Sequence, residues 1–272
     1  MSNQSTTAIS AGFSLNAGDY DKAVRYNIQG AKRLIDALPG PSYDNVLDVG
    51  CGTGFATMAF VNRFGTTDIT GIDPAQGMLD GFRQKLVDHP ELQVDLHVAD
   101  VLSMPVKENH YDAVICSMAF HWFPFKADAA VAMARALKPG GHMAILCSGR
   151  GAEEEFRRVL TEIQPPVPQW VGTFDIVQRD IDEMEGYLED AAGLEIIDIW
   201  MERRIRRVPV EEYLERMRVV ASHLNAGYSP EELEELNAKV SAATQKAAGP
   251  RGFEYTFTKL NAIARKPDTA RA

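Results

Sequence analysis

The sequence has few of the features that mark membrane-bound, secreted or metal-bound proteins. No apolar run approaches the roughly 18 residues that a membrane-spanning helix requires, and the polar N-terminus lacks the basic start and the apolar stretch of a signal peptide. The 3 cysteines (Cys51, Cys116 and Cys147) are widely spaced, and the 6 histidines form no H-E-x-x-H pattern. These absences argue against a disulfide framework and a zinc site. We therefore expect a cytoplasmic protein without a membrane partner.

Basic residues are also in short supply. The 28 lysines and arginines are outnumbered by 38 aspartates and glutamates, so the formal net charge is −10. An acidic chain repels phosphate groups, which argues against a nucleic-acid partner. Apolar residues make up 45% of the 272 residues, a share typical of a folded globular protein rather than a disordered one.

Short apolar strands alternate with segments of helical periodicity between Asn45 and Cys147. Such strand–helix–strand units predict right-handed crossovers, and therefore an α/β fold with a mostly parallel sheet and helices on both faces. After Ser148 the pattern changes, and helical segments interrupt two further strands, Leu194–Trp200 and Tyr255–Ala264. The pattern therefore predicts seven strands in all.

The same pattern predicts the boundaries of the domain. A helix is expected from Asp19 or Asp21 to about Leu38, because its apolar residues recur at helical spacing and Gly40 follows it. The expected organisation is a flexible lead over residues 1–18, one domain over residues 19–266 and a frayed tail over residues 267–272. Insertions at about 152–191 and 209–247 are expected to form a helical lid over the carboxyl edge of the sheet.

A glycine-rich turn between the first strand and the next helix is the most informative stretch. It reads Asp48-Val49-Gly50-Cys51-Gly52-Thr53-Gly54, a G-x-G-x-G run after an acidic residue. Closely spaced glycines allow a ligand to approach the backbone. The third glycine of a dinucleotide fingerprint would fall at Phe55, and no Gly-Lys-Ser/Thr of a P-loop follows. The acidic residue at the entrance favours a cationic ligand over a pyrophosphate.

Five motifs in order resemble those of class I S-adenosylmethionine-dependent methyltransferases. They are Val46–Gly54, Gly71–Pro74 with Met78 and Leu79, Ala99–Val101 with Met104 and Pro105, Tyr111–Val114, and Leu137–Gly141. The segment Ala119–Phe123 resembles the small-molecule group that includes trans-aconitate-type carboxyl methyltransferases. The resemblance implies a Rossmann-like seven-stranded sheet and S-adenosylmethionine as the cofactor.

The resemblance also implies which residues bind the cofactor. It places Asp48 near the amino end of the cofactor, Asp73 on both ribose hydroxyls, and Asp100 on the adenine amino group. Each of these three aspartates, taken alone, is also typical of a helix N-cap. The implied set comprises Tyr20, Arg25, Asp48, Gly50, Gly52, Gly54, Asp73, Pro74, Met78, Asp100, Val101 and Ser117.

Two residues of this set lie in a segment that resembles the N-terminal capping segment of the same group. Asp19 to Tyr26 forms that segment, although Asn27 and Ile28 stand where a proline often follows. Arg25 is expected to pair with the cofactor carboxylate and Tyr20 to close the site. The alternative is that both belong to a solvated helix face.

The expected catalytic residue is His121, because it follows the fourth strand at the carboxyl edge, where ligands bind in open α/β sheets. The alternative is a packing role beside Trp122. Magnesium-dependent members would need acidic ligands where Ser117 and Ser148 stand, so no metal is expected. The three cysteines fall near neighbouring strand ends, where they are either buried apolar residues or a thiol cluster for a soft metalloid.

The expected function is methyl transfer to a small molecule, with O-methylation of a small carboxylic acid favoured. A carboxylate is ionised at pH 7 and needs no base, whereas a phenol with pKa near 10 does. The cluster Arg203–Arg207 either attracts an anionic substrate or is an exposed strand end. The alternatives are O- or C-methylation of a hydroxylated ring compound or quinone, and a cofactor-binding protein without transfer activity. The oligomeric state is left open.

Overall fold

A computed structural model describes residues 3–66, 68–164, 179–225 and 228–268, with the side chains of residues 3–6 left aside. Residues 165–178, part of the first expected insertion at about 152–191, lie outside these ranges. In the described part of the chain, no helix is long and apolar enough to cross a bilayer.

Seven strands form one sheet in the order β3-β2-β1-β4-β5-β7-β6. All pairings are parallel except those of β7, which runs antiparallel to both neighbours. This topology confirms the expected fold. The strand bounds are Asn45–Val49 (β1), Asp68–Asp73 (β2), Gln93–Val98 (β3), Tyr111–Ser117 (β4), Leu137–Ser148 (β5), Glu195–Val208 (β6) and Phe253–Arg265 (β7).

Helices cover both faces because the central strands are apolar on both sides. Leu34 and Phe60 pack with Ile115 on one face, and Met133 and Leu188 belong to the core on the other. The helix bounds are Asn3–Leu15 (α1), Ala17–Ala23 (α2), Arg25–Asp36 (α3), Phe55–Phe64 (α4), Gln76–Leu86 (α5), Lys126–Ala136 (α6), Glu154–Glu162 (α7), Ile181–Glu185 (α8), Val210–Val220 (α9) and Pro230–Ala247 (α10).

Three helices form a separate cluster at the carboxyl edge of the sheet. Phe156 of α7, Tyr213 of α9 and Val240 of α10 share an apolar core with Phe253 at the start of β7. Both β5 and β6 end at this edge, so the two insertions leave the sheet where a lid was expected. The second half of the first insertion differs: Met184 of α8 packs into the core on one face of the sheet. Residues 181–191 are therefore a face helix and not part of a lid.

The amino end also differs from the sequence-based expectation. Instead of a flexible lead, the structure has helix α1, whose Phe13 ring contacts the rings of Tyr20 and Trp122 edge-on, both at 5.9 Å between centroids. The Ser14 hydroxyl accepts a hydrogen bond from the backbone N–H of Gly77 at 3.3 Å. The single helix expected to reach Leu38 is broken at Val24, between α2 and α3.

The sixth strand is longer than expected, since β6 continues from Trp200 to Val208. The arginine cluster therefore lies within an edge strand, paired along its length with β7. At the opposite end of the domain, the tail is described as far as Asp268, whose carboxylate pairs with Arg265 at 2.6 Å.

The first glycine-rich turn provides a stability test, because Gly54 caps α4 with φ +81° and faces a buried ring. A Cβ at Gly54 would lie 2.2 Å from the Phe82 ring, whereas a Cβ at Gly65, with φ +70°, would meet nothing within 4 Å. We expect Gly65→Ala to lower the free energy of unfolding by about 1–2 kcal/mol, the cost of left-handed backbone alone. Overpacking should raise the loss for Gly54→Ala to about 2–5 kcal/mol. Urea denaturation followed by circular dichroism measures both, and equal losses would contradict this account.

Candidate cofactor site

A cleft of about 800 Å³ opens at the carboxyl ends of β1, β2 and β4. Nine of the expected cofactor-binding residues line it: seven come from three of the five motifs, one from the N-terminal segment and one from the end of β4. They are Tyr20, Gly50, Gly52, Asp73, Pro74, Met78, Asp100, Val101 and Ser117. Parallel strands bring their carboxyl ends to one edge, which is why residues so far apart in sequence meet here.

The glycine loop forms the floor of this cleft. The backbone N–H groups of Gly50 and Cys51 both donate to the carbonyl oxygen of Ile72, at 2.8 and 3.0 Å, which ties the loop to the end of β2. Gly50 has φ +71°, and a Cβ there would lie 2.2 Å from the side chain of Ala119. Glycine is therefore required for the loop to pass this close to the segment after β4.

Asp73 joins the loop to the start of α5. Its Oδ2 accepts from the Gly52 N–H at 2.9 Å, and its Oδ1 accepts from the Ala75 N–H at 2.8 Å. Burial raises the pKa of this carboxyl to about 6, and the two backbone bonds oppose the shift. Each oxygen has further lone-pair capacity, so the group can accept from a pair of hydroxyls on a ligand in the cleft.

The residues that the resemblance assigns to the adenine also line the cleft. Asp100 caps a short 3-10 turn, and its Oδ1 accepts from the Leu102 N–H at 3.0 Å. It thus has the capping role named as its alternative, and it also lines the cleft beside Val101. Met78 also lines the cleft, and its Cε lies 3.1 Å from the position of a Cβ at Gly52.

Two of the expected cofactor-binding residues, Asp48 and Gly54, do not line the cleft. Asp48 is fully buried; Thr57 donates to its Oδ2 at 2.6 Å, whereas its Oδ1 has no hydrogen-bond partner among the described residues. Burial raises the pKa of Asp48 to about 7. Gly54 is occupied in capping α4 against Phe82. Both support the loop, and neither lines the cleft.

Arg25 does not line the cofactor cleft, where the resemblance places it. It forms an ion pair with Glu212 at 2.5 Å and lines a second cavity between α2 and α9. Helix α2 ends at Ala23, so the chain turns at Val24 and Arg25 begins a new helix. Tyr20 remains in the cleft wall, with its pKa raised by burial and by the negative charge of Asp73.

His121 is more buried than a substrate-facing base would be. Only 4% of it is exposed, it does not line the cleft, and its Nδ1 has no partner among the described residues. Burial lowers its pKa well below 6.5, and the positive charges of Lys259, Lys126 and Arg179 lower it further. The imidazole is therefore neutral at pH 7 and packs beside Trp122, with 5.1 Å between ring centroids.

The cysteines are buried thiols. Cys51 lines the cleft wall, and burial is the main cause that raises the pKa of all three. Within the described ranges, no group of three or more His, Cys, Asp or Glu side chains is arranged to hold a metal ion.

Sequence reasoning missed the helix that closes the cleft. Ile9, Ser10 and Phe13 of α1 line it, as do Met118 and Trp122 after β4. The four-residue spacing of Ile9 and Phe13 is a helical signal, but small and polar residues surround them.

Comparisons with known proteins agree with this geometry. The family model for a methyltransferase domain matches residues 46–141. The trans-aconitate 2-methyltransferase of Variovorax paradoxus is 27% identical over 174 residues, 62% of this chain and 64% of that protein. The match therefore spans just under two thirds of that relative. An uncharacterized methyltransferase of Mycobacterium tuberculosis is 33% identical over 170 residues, 60% of this chain and 67% of that protein.

A solved structure shows the same fold. Phosphoethanolamine N-methyltransferase 2 of Haemonchus contortus, in complex with phosphomonomethylethanolamine and S-adenosylhomocysteine, superimposes with a TM-score of 0.57. The alignment covers 93% of this chain and 57% of that chain at 17% identity. The motifs, the sheet order and these matches together confirm the resemblance found in the sequence: the chain belongs to the class I S-adenosylmethionine-dependent methyltransferases.

Proposed function

We propose that this protein binds S-adenosylmethionine in the cleft and transfers its methyl group to a small carboxylic acid. The cofactor assignment is supported by Asp73, whose carboxylate stands between the glycine loop and α5. A carboxylate in that place can accept from both ribose hydroxyls, and Asp100, which the resemblance assigns to the adenine amino group, lines the same cleft. The sulfonium methyl is already electrophilic, so the protein has to align the acceptor and exclude water.

The choice of a carboxylic acid rests on one observation, the state of the titratable groups around the cleft. Within the described part of the chain, those that line it are Tyr20, Cys51, Asp73 and Asp100. The two aspartates are assigned to the cofactor, and burial raises the pKa of the other two. None is suited to remove a proton from a phenol at pH 7, whereas a carboxylate arrives ionised.

The charge behind the cleft supports the same choice. His121 is surrounded by Lys126, Lys259 and Arg179, although the chain as a whole has a net charge of −10. A positive potential in a low-dielectric interior attracts an anionic acceptor. The related trans-aconitate 2-methyltransferase is named for an acid, which is consistent with the proposal.

A hydroxylated ring compound is the second candidate. Its support is the aromatic wall formed by Phe13, Trp122 and Phe123, on which a flat ring can stack. A panel of small carboxylic acids and phenols, scored by formation of S-adenosylhomocysteine, separates the two candidates. Cofactor binding without turnover of any member would instead support a binding protein that does not transfer methyl groups.

The first prediction tests the cofactor site. Asp73→Asn keeps the size of the side chain but removes the charge that strengthens its bonds to ribose hydroxyls. We expect the Kd for S-adenosylmethionine to rise about 10- to 100-fold, the range of one charge-assisted hydrogen bond. Asp80→Asn, on the exposed side of α5, is the matched control and should leave the Kd unchanged. Isothermal titration calorimetry measures both, and an unchanged Kd for Asp73→Asn would refute the assignment.

The second prediction tests the acceptor class through His121→Gln. If the acceptor is a carboxylate, kcat should change little, because no proton has to be removed. If it is a phenol that relies on His121 as base, kcat should fall about 10²- to 10⁴-fold. Cofactor affinity, measured on the same variant, serves as the control. A fall of that size with unchanged cofactor affinity would be evidence against the carboxylic acid.

A further inference from the structure

Lys259 of β7 has a buried amino group with no carboxylate partner among the described residues. Only 6% of the residue is exposed, and the one hydrogen bond of its Nζ within the described ranges goes to the Met118 Sδ, at 3.0 Å. The Nζ also lies 4.4 Å from the centroid of the Phe257 ring. A thioether and a ring face are weak partners for a charge that has lost its water.

Two carboxylates near Lys259 are hydrogen-bonded to other residues. Glu202 stands directly opposite it on β6, but Arg33 donates to both of its oxygens, at 3.0 and 2.8 Å. Glu153 accepts from Arg216 at 2.6 Å and from the Tyr213 hydroxyl at 2.7 Å. Both carboxylates are therefore engaged by other residues and neither pairs with Lys259.

Groups of both signs act on Lys259, and two of them are arginines. Burial is the largest cause that lowers its pKa to about 7, and Arg216 and Arg206 lower it further. Glu153 and the Cys147 thiol act in the opposite direction, and His121 feels the Lys259 charge from the segment after β4. A negative group placed here would relieve this repulsion.

Further polar atoms near Lys259 lack partners. Asn261 lies two residues along β7 on the same face of the sheet, and it is fully buried with neither amide atom hydrogen-bonded within the described ranges. Ser117 ends β4 with its hydroxyl equally without a partner, and it lines the cofactor cleft. Buried polar groups are normally satisfied, so these unpartnered atoms are available to a ligand.

Met118 separates Lys259 from the cleft. Its side chain lines the cleft and its sulfur contacts the ammonium, so Lys259 lies one side chain away from the cofactor. Met118 has φ +60°, a left-handed conformation that is costly for any residue other than glycine. Methionine is flexible, so a ligand group can displace its thioether without disturbing the sheet.

We propose that Lys259 binds an anionic group of the acceptor other than the one that receives the methyl group, so the acceptor carries at least two carboxylates. This inference rests on the proposed function. The reacting oxygen must lie in line with the sulfonium at about 3–3.5 Å. A carboxylate bound to Lys259 is held at the far side of Met118 from the cleft, so it cannot also lie in line with the sulfonium. It is therefore an anchor, and a second carboxylate reaches the methyl group.

The test compares diacids with monoacids of equal length. The probes are butanedioate, pentanedioate and hexanedioate, each paired with butanoate, pentanoate or hexanoate, titrated into protein saturated with S-adenosylhomocysteine. We expect at least one diacid to bind about 10- to 100-fold more tightly than its monoacid, the factor of a charge-assisted hydrogen bond. Lys259→Met should abolish this preference, and Lys259→Arg should retain part of it.

The matched control is Lys32→Met, which removes an exposed lysine from α3 and should keep the full preference. Equal affinities of diacid and monoacid for the wild-type protein, or no binding of any diacid, would overturn the proposal even if Lys259→Met failed to fold. So would an undiminished preference in Lys259→Met. Binding of S-adenosylhomocysteine is measured first: its absence refutes the proposed cofactor, whereas its presence without a diacid preference refutes only the role of Lys259.

Discussion

The site depends on the bonds that join the end of β2 to the glycine loop. The Asp73 carboxylate accepts from Gly52 on one side and from Ala75 on the other, and the Ile72 carbonyl accepts from Gly50 and Cys51. One strand end therefore fixes both the floor of the cleft and the first turn of α5. Backbone groups that would otherwise be buried without partners are satisfied by the same bonds.

Features encoded in short stretches of sequence were predictable, and those that depend on distant packing were not. The loop and Asp73 could be predicted because strand, glycine spacing and acid lie within 26 residues of one another, from Asp48 to Asp73. The position of Arg25 could not, because it is set by Glu212, 187 residues further along the chain. His121 lies in the expected segment, but its burial follows from the packing of neighbouring elements around Trp122. Helix α1 gains its order from contacts with α5 and the 222–225 turn, which its own composition does not reveal.

The arginine-rich strand shows how the fold sorts charges that look alike in sequence. Arg204 and Arg207 pair with Glu202 and Glu254 along the exposed edge, where charged side chains also discourage pairing with another sheet. Alternation along the strand places Arg206 on the same face as Arg204 and Arg207 on the opposite face. The Arg206 guanidinium lies 3.8 Å from the centroid of the Tyr26 ring. The cluster is thus mostly an edge feature, and one member adds to the positive interior.

That positive interior links the fold to the chemistry. An enzyme whose cofactor is already electrophilic needs little from acids and bases, and most from the placement of its acceptor. Burying Lys259 and Lys126 with no ion pair among the described residues costs stability, as the lowered pKa of each reflects. A sequence with 38 acidic residues could supply partners, yet the nearest carboxylates are bonded to arginines instead. The anionic acceptor proposed above would offset part of that cost on binding, because its charge would stand beside the buried lysines.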